Sequence, residues 1–238
     1  MFSACTADAD RMVDWGVPVV RWFAYGELPG VAQRSVDVSF IEPLVRRRVS
    51  NLGRMGLHVA NECLQGTGHV RFVYASRHGE LRRTTAILEA IARGEDVSPT
   101  AFSLSVLNAT AGLYSIARTD PSPATAVASG AESFGYGLLE AVAQLAQHPQ
   151  DQVLFVYADE PAPAPYDRFL PGDPPAHAVA VLLRSDAPAV IHCQLAPAQV
   201  DSQSSVPQSG AFLECLGEKC RSSWTGPTHT WLWSRHDG

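Results

Sequence analysis

The sequence predicts an α/β protein, a mainly parallel sheet with helices on both faces, and three observations carry that prediction. Strand-like runs alternate with helical segments in the order β-α-β-α-α-β-α-β-β. The run Val70 to Ser76 is short and β-branched, as a buried strand should be. The segment that follows Ser98-Pro99 is apolar nearly all round, which suits a helix buried on every side.

The first 35 residues carry Trp15, Trp22, Phe23 and Tyr25 among Gly and Pro, and predict an opening strand and loop. From Ser50 the pattern turns helical. Leu52, Met55, Gly56, Val59, Ala60, Cys63 and Leu64 repeat at i, i+3, i+4 and i+7, with Ser50 as N-cap and Gly66 and Gly68 closing the helix. After the Val70–Ser76 strand, a second helix is expected over Glu80 to Arg93. Leu81, Leu88 and Ile91 share one face, and Gly94 stops it. Ser98-Pro99 reads as an N-cap with proline at the first helical position, opening the buried segment through Ala117.

A Pro-rich turn, Asp120 to Pro123, precedes a short strand over Ala124 to Ala128. A third helix then runs from Gly130 to about Gln147, its core stripe made by Phe134, Leu138, Ala141, Val142 and Leu145. Strands are expected over Gln152 to Ala158 and Ala176 to Leu183, joined by a Pro- and Asp-rich loop, and another over Val190 to Leu195. Residues 198–209 are Gln- and Ser-rich and read as a flexible connection; Ala211 to Leu216 and Trp231-Leu232-Trp233 recover order. The division is a domain over 1–197, then a linker and C-terminal extension over 198–238.

Length and composition agree with one globular domain: 238 residues, 46% hydrophobic and 18% charged. A net charge of −6 argues against a sequence-independent grip on nucleic acid, which needs clustered Lys and Arg. Arginines do gather at Arg46, Arg47 and Arg48 and at Arg82 and Arg83, as solvated faces or a docking patch for an acidic partner. Asp8, Asp10 and Asp14 interrupt any signal-peptide core, and no run is long enough for a membrane span. Five cysteines do not resemble a disulfide framework, so the expected setting is cytoplasmic.

Function is most legible in Ala124 to Ala141, A-T-A-V-A-S-G-A-E-S-F-G-Y-G-L-L-E-A. It resembles the nucleophile segment of β-ketoacyl synthases, where a strand ends in a T-A-C-A-S-G-like turn that opens a buried helix. A thiol placed there has its thiolate stabilised by the helix dipole and free amides, and can attack an acyl thioester. Thr125, Ala126, Ala128, Ser129 and Gly130 match the motif, but the cysteine position is Val127. The stretch S-P-T-A-F through N-A-T-A-G, from Ser98, resembles the helical region upstream of that cysteine. The H-G-T-like and N-H-like settings of the family's two catalytic histidines do not occur.

With Trp22, Phe23 and Tyr25 near the start and W-L-W-S-R near the end, the chain is similar to short β-ketoacyl-synthase-like proteins of aryl polyene and xanthomonadin-type pigment pathways. These serve as chain-length factors. The resemblance implies a thiolase-like fold, no cofactor, and a heterodimer with a full-length ketosynthase that condenses malonyl units on an acyl carrier protein. It implies no catalytic residue here. Val127, Ser129, Glu132 and Phe134 are expected near a vestigial site or tunnel, with Asn108 on the adjoining buried helix. Phe134 could limit chain growth or simply fill the core.

Three further readings stay open at this stage. Glu132 could complement the helix dipole, and Ser129 could satisfy the helix N-terminus or act as a nucleophile. A serine hydrolase would use Ser133 in Ala131-x-Ser133-x-Gly135, with Asp159 and His192 or His229 following in order. Cys215, Cys220 and His229 form a loose zinc pattern that lacks a fourth ligand.

Overall fold

The computed structural model describes residues 13–235, apart from 29, 33–34, 67, 171–172, 199–203 and 218–220. The elements in order are β1 (Val13–Gly26), α1 (Pro43–Arg46), α2 (Asn51–Leu64), β2 (Arg71–Ala75), α3 (Leu81–Ala92), α4 (Pro99–Ser103), α5 (Ala109–Arg118) and β3 (Ala124–Val127). Then come α6 (Ser133–Gln147), β4 (Val153–Asp159), β5 (His177–Leu183), β6 (Ala189–Pro197), α7 (Gln208–Leu216), β7 (Arg221–Thr225) and β8 (His229–Arg235). No helix among the described residues is long and apolar enough to cross a membrane.

Local chemistry sets several boundaries. The Ser50 hydroxyl accepts a hydrogen bond from the Gly53 amide at 2.9 Å and caps α2, which closes at Gln65 in the left-handed region at φ 45°. Ser98 caps α4 in the same way, accepting from the Ala101 amide with Pro99 in the first turn.

One eight-stranded sheet, in the order β3-β2-β4-β5-β1-β6-β8-β7, runs through the molecule. The expectation of a mainly parallel sheet needs correcting. Among the described residues, only β2 pairs in parallel, with β3 and with β4; the other five pairings are antiparallel. The reason is the connections. Parallel neighbours need a crossover, usually helical, and the helical crossovers from β2 to β3 and from β3 to β4 supply it, whereas α1–α2 and α7 link strands that do not pair. β4 returns to β5 through the Pro-rich loop, and β1 slots between β5 and β6.

Helices do cover both faces. Phe72, Tyr74, Leu154 and Val156 point to the face where α2 and α5 supply Leu52, Met55, Val59 and Tyr114. Val73, Ala75, Val153 and Phe155 point to the other, where α6 supplies Phe134, Leu138 and Ala141, α7 supplies Phe212, and β8 supplies Trp231 and Trp233. The alternation follows the two-residue period of a strand. The C-terminal elements thus extend the same sheet and core.

Two sequence expectations differ on the helices near β3. The segment after Ser98 is not one buried helix but α4, a turn and α5, with Phe102 64% and Ile116 73% exposed. On α3, Leu88 and Ile91 are exposed and only Thr85 is fully buried, because this helix packs chiefly on α4 rather than over the sheet. Apolar periodicity marks a face that seeks cover without saying which chain provides it.

Candidate functional site

The end of β3 builds the site. β3 stops at Val127, the chain turns through Ala128 to Glu132 with Gly130 at φ 55°, and α6 begins at Ser133, three residues later than the sequence suggests. Val127 is half-buried and packs against the core under α6. Ser133 is fully buried, and its hydroxyl accepts from the Ser129 amide at 2.8 Å while donating to the Gly130 carbonyl at 2.7 Å. The Gly135 amide donates to Gln208 Oε1 at 2.9 Å. The Ser129, Glu132, Ser133 and Gly135 amides at this helix start are therefore engaged within the chain, beside a side chain that carries no nucleophile.

This geometry disposes of the Ser133 hydrolase. The hydroxyl is consumed by the turn, Asp159 bonds to Tyr157 and the loop after β2, and His229 bonds to Glu132. His192 lies on an exposed position of β6, away from α6. That reading therefore finds its serine committed to the turn and its acid and base held by other partners.

Glu132 is the residue most transformed by the fold. It does not cap α6. Its side chain, only 3% exposed, turns to the β7–β8 hairpin. Oε1 accepts from the Thr228 amide and hydroxyl and from the His229 amide, and Oε2 accepts from His229 Nδ1 at 3.0 Å and Trp231 Nε1 at 3.2 Å. Burial pushes this carboxyl up, but the hydrogen bonds from Thr228 and His229 outweigh it and hold the group below its ordinary range. Tyr136 Oη lies 3.2 Å from the same imidazole nitrogen. Nothing in the sequence links Thr228, His229 or Trp231 to Glu132; the pairing of β8 with β6 and β7 brings them here.

A second polar group lies at the carboxyl ends of β2 and β4. Asp159 is buried, takes the Tyr157 hydroxyl at 3.2 Å, and has only 3.4 Å contacts from the Ser76 hydroxyl and the His78 amide. Burial raises its carboxyl to about 6, against the pull of His78, Tyr157 and Arg77. Asp173 pairs with Arg77 at 2.6 Å and with His78 Nε2 at 3.1 Å. Behind them, buried His177 donates from Nδ1 to the Pro175 carbonyl and sits 2.9 Å from the Ser209 hydroxyl through Nε2.

The remaining sequence candidates fall as follows. Phe134 is fully buried among the rings of Phe155, Tyr157 and Phe212, at centroid distances of 5.3, 5.5 and 5.3 Å. Asn108 is exposed just before α5, and its side chain makes no capping bond. Cys215 is buried in the α7 core, and Cys220 lies outside the described residues. No group of three or more His, Cys, Asp or Glu that could hold a metal occurs among the described residues.

A strand ending in T-A-V-A-S-G, a helix opening over a mixed sheet, and helices on both faces define a thiolase-like, ketosynthase-type protein without the thiol. The sequence profile of the β-ketoacyl synthase N-terminal domain matches residues 22–234, and the chain belongs to that family. It is similar in structure to a chain of the ketosynthase ApeO in complex with its chain length factor ApeC from Xenorhabdus doucetiae. There the identity is 28%, the match covers 93% of this chain and 100% of that one, and the TM-score is 0.81.

The ishigamide ketosynthase/chain length factor matches at 16% identity and TM-score 0.56, over 72% of this chain and 63% of that chain. A β-ketoacyl synthase from Burkholderia phymatum STM815 matches at 15% and 0.56, over 74% and 54%. These two share the fold. No curated protein sequence matches the chain.

Proposed function

We propose that this chain is a non-catalytic chain-length factor that pairs with a full-length, cysteine-bearing ketosynthase in aryl polyene-type elongation on an acyl carrier protein. One observation carries the reading: the match covers 93% of this chain and the whole of a chain from a ketosynthase–chain length factor complex, and valine stands here at the nucleophile position.

The surface supports a partner. β3 is an edge strand, and near it Phe102, Val106 and Ile116 of α4, α5 and the turn between them are exposed. Apolar side chains beside an unpaired strand edge are what a second subunit covers. The two arginine clusters also meet: the Arg83 guanidinium donates to the Arg48 carbonyl at 2.9 Å. Beside them is a cleft of about 440 Å³, lined by Arg82, Ile87, Ala90 and Val97 among others. Its rim is mixed in charge, with Arg82 beside Glu160, Arg83 beside Glu80, and Asp96 adding a third carboxylate.

In this reading Val127, Ser129, Glu132, Phe134 and Asn108 stay the residues of the vestigial site and tunnel, unequally supported by position. Val127 and Ser129 stand at the turn itself. Phe134 lies behind it in the core, so it would act on product length through packing. Asn108 belongs with the exposed surface toward the partner.

The test is co-expression with a full-length ketosynthase from the same source, purified on a tag carried only by this chain. The expected result is a stoichiometric complex that elongates carrier-bound substrate and keeps its activity with Val127→Ala. Recovery of this chain as a lone monomer or homodimer would overturn the reading.

A further inference from the structure

The loop before β2 and the end of α5 enclose a cavity of about 320 Å³. It lies at the amino-terminal ends of β2 and β3, whereas Val127 closes β3 at the other end of the sheet. Leu64, Tyr114 and Ala117 give the cavity an apolar wall, and His69, Arg118 and Asp120 give it polar groups.

Two of these groups lack what their chemistry asks for. Tyr114 is 2% exposed, with its ring against Phe72 at a centroid distance of 4.6 Å, and its hydroxyl has no hydrogen-bond partner among the described residues. A buried hydroxyl left in that state is costly. Burial pushes the phenol up, and the Arg118 charge beside it pulls the other way. Arg118 is half-buried and has no carboxylate partner among the described residues.

The acceptors nearby are already engaged. Asp120 Oδ1 lies 2.9 Å from His69 Nδ1 and accepts from the Ser122 amide at 3.0 Å, while Oδ2 accepts from the Val70 amide at 3.0 Å. At the end of α5 the Ser115 and Ile116 carbonyls accept from the Asp120 and Thr119 amides at 3.0 and 3.2 Å. What remains is a guanidinium without a counter-charge and a phenolic proton without an acceptor.

We propose that this cavity binds the phosphate group of a small phosphate monoester, with Arg118 and the Tyr114 hydroxyl as its donors. Phosphate oxygens only accept, so one group answers both donors, and the guanidinium fork matches two of its oxygens. His69 also lines an adjoining cavity of about 380 Å³, whose Arg71 and Arg184 are already paired with Asp151 and Asp186. That space receives the organic part of the molecule, which favours a monoester over free phosphate. The site is separate from the Val127 turn and does not depend on pairing with a ketosynthase.

The test is calorimetric titration of the full chain with glycerol phosphate and with inorganic phosphate, at an ionic strength fixed by sodium chloride. The expected result is saturable one-to-one binding, tighter for glycerol phosphate, and weakened about 10-fold or more by Arg118→Gln and by Tyr114→Phe. Tyr114→Phe keeps the ring on Phe72 and removes only the unpaired hydroxyl. Its melting temperature without ligand should therefore equal or exceed that of wild type, which separates lost binding from lost folding. Arg93→Gln, on a guanidinium already bonded to Glu95, should bind as wild type does. No saturable binding by wild type, binding unchanged in Arg118→Gln or Tyr114→Phe, or a lower melting temperature for Tyr114→Phe would each overturn the proposal. Tighter binding of inorganic phosphate would overturn the monoester and make free phosphate the occupant.

Discussion

Glu132 and His229 are 97 positions apart in the chain, and their side chains meet at 3.0 Å, the Nδ1–H of the imidazole donating to the buried carboxylate. Through this contact and its neighbours the last hairpin is fastened to the helix that follows the vestigial turn.

Removing that fastening should be costly. Glu132→Ala strands the Thr228 and His229 amides and the Trp231 indole without their acceptor. The expected loss is about 2–4 kcal/mol by urea unfolding. The pH dependence follows from the lowered carboxyl. Its contribution is fully present above the ordinary glutamate value of 4.5 and is lost as pH falls through the lower folded-state value. The gap between wild type and Glu132→Ala should therefore shrink in acid.

Asp159 should behave in the opposite sense. Its carboxyl is raised to about 6 from 3.8 by burial, so the folded state favours the neutral acid. Stability is lost as pH rises from about 3.8 through about 6, and the deficit above that is on the order of 3 kcal/mol. Asp159→Asn keeps the shape and removes the buried charge. Thermal unfolding should show the variant more stable than wild type at pH 7.5 and no more stable at pH 4; an equal gain at both would contradict this origin.

Close packing of α6 on the sheet makes a sharper demand. A Cβ at Gly137 would stand 2.6 Å from the Ala75 Cβ and 2.7 Å from the Phe155 ring. Gly137→Ala should destabilise by about 1–3 kcal/mol despite alanine's better helix propensity. Gly112 on α5 has open space at its Cβ position, and alanine there should be neutral or mildly stabilising in the same assay.

Ile116 tests the partner surface. It is 73% exposed, so Ile116→Asp should leave unfolding unchanged within about 0.5 kcal/mol. Co-purification with the ketosynthase should fall sharply. Unchanged capture would move the interface off α5.

Much of the architecture was legible because local chemistry sets it. Ser50 and Ser98 cap the helices that their neighbours predict, and Leu52, Met55, Val59 and Cys63 are buried as their spacing requires. The stripe Phe134, Leu138, Ala141 and Leu145 likewise faces the sheet. The errors arise where a second surface decides. Leu88, Ile91, Phe102 and Ile116 carry helical periodicity, yet among the described residues they stand largely exposed.

Strand direction escaped the sequence for a related reason. The pattern of Val153 to Asp159 states that β4 is covered on both faces and does not name its neighbours. At the site the sequence by itself determined the turn, the loss of the nucleophile at Val127 and the helix behind it, because those depend on consecutive residues. Only the tertiary structure decided that Ser133 holds the turn and that His229 answers Glu132. The physical reason is that a hydrogen bond depends on proximity in space, and β8 reaches α6 only after the sheet has assembled.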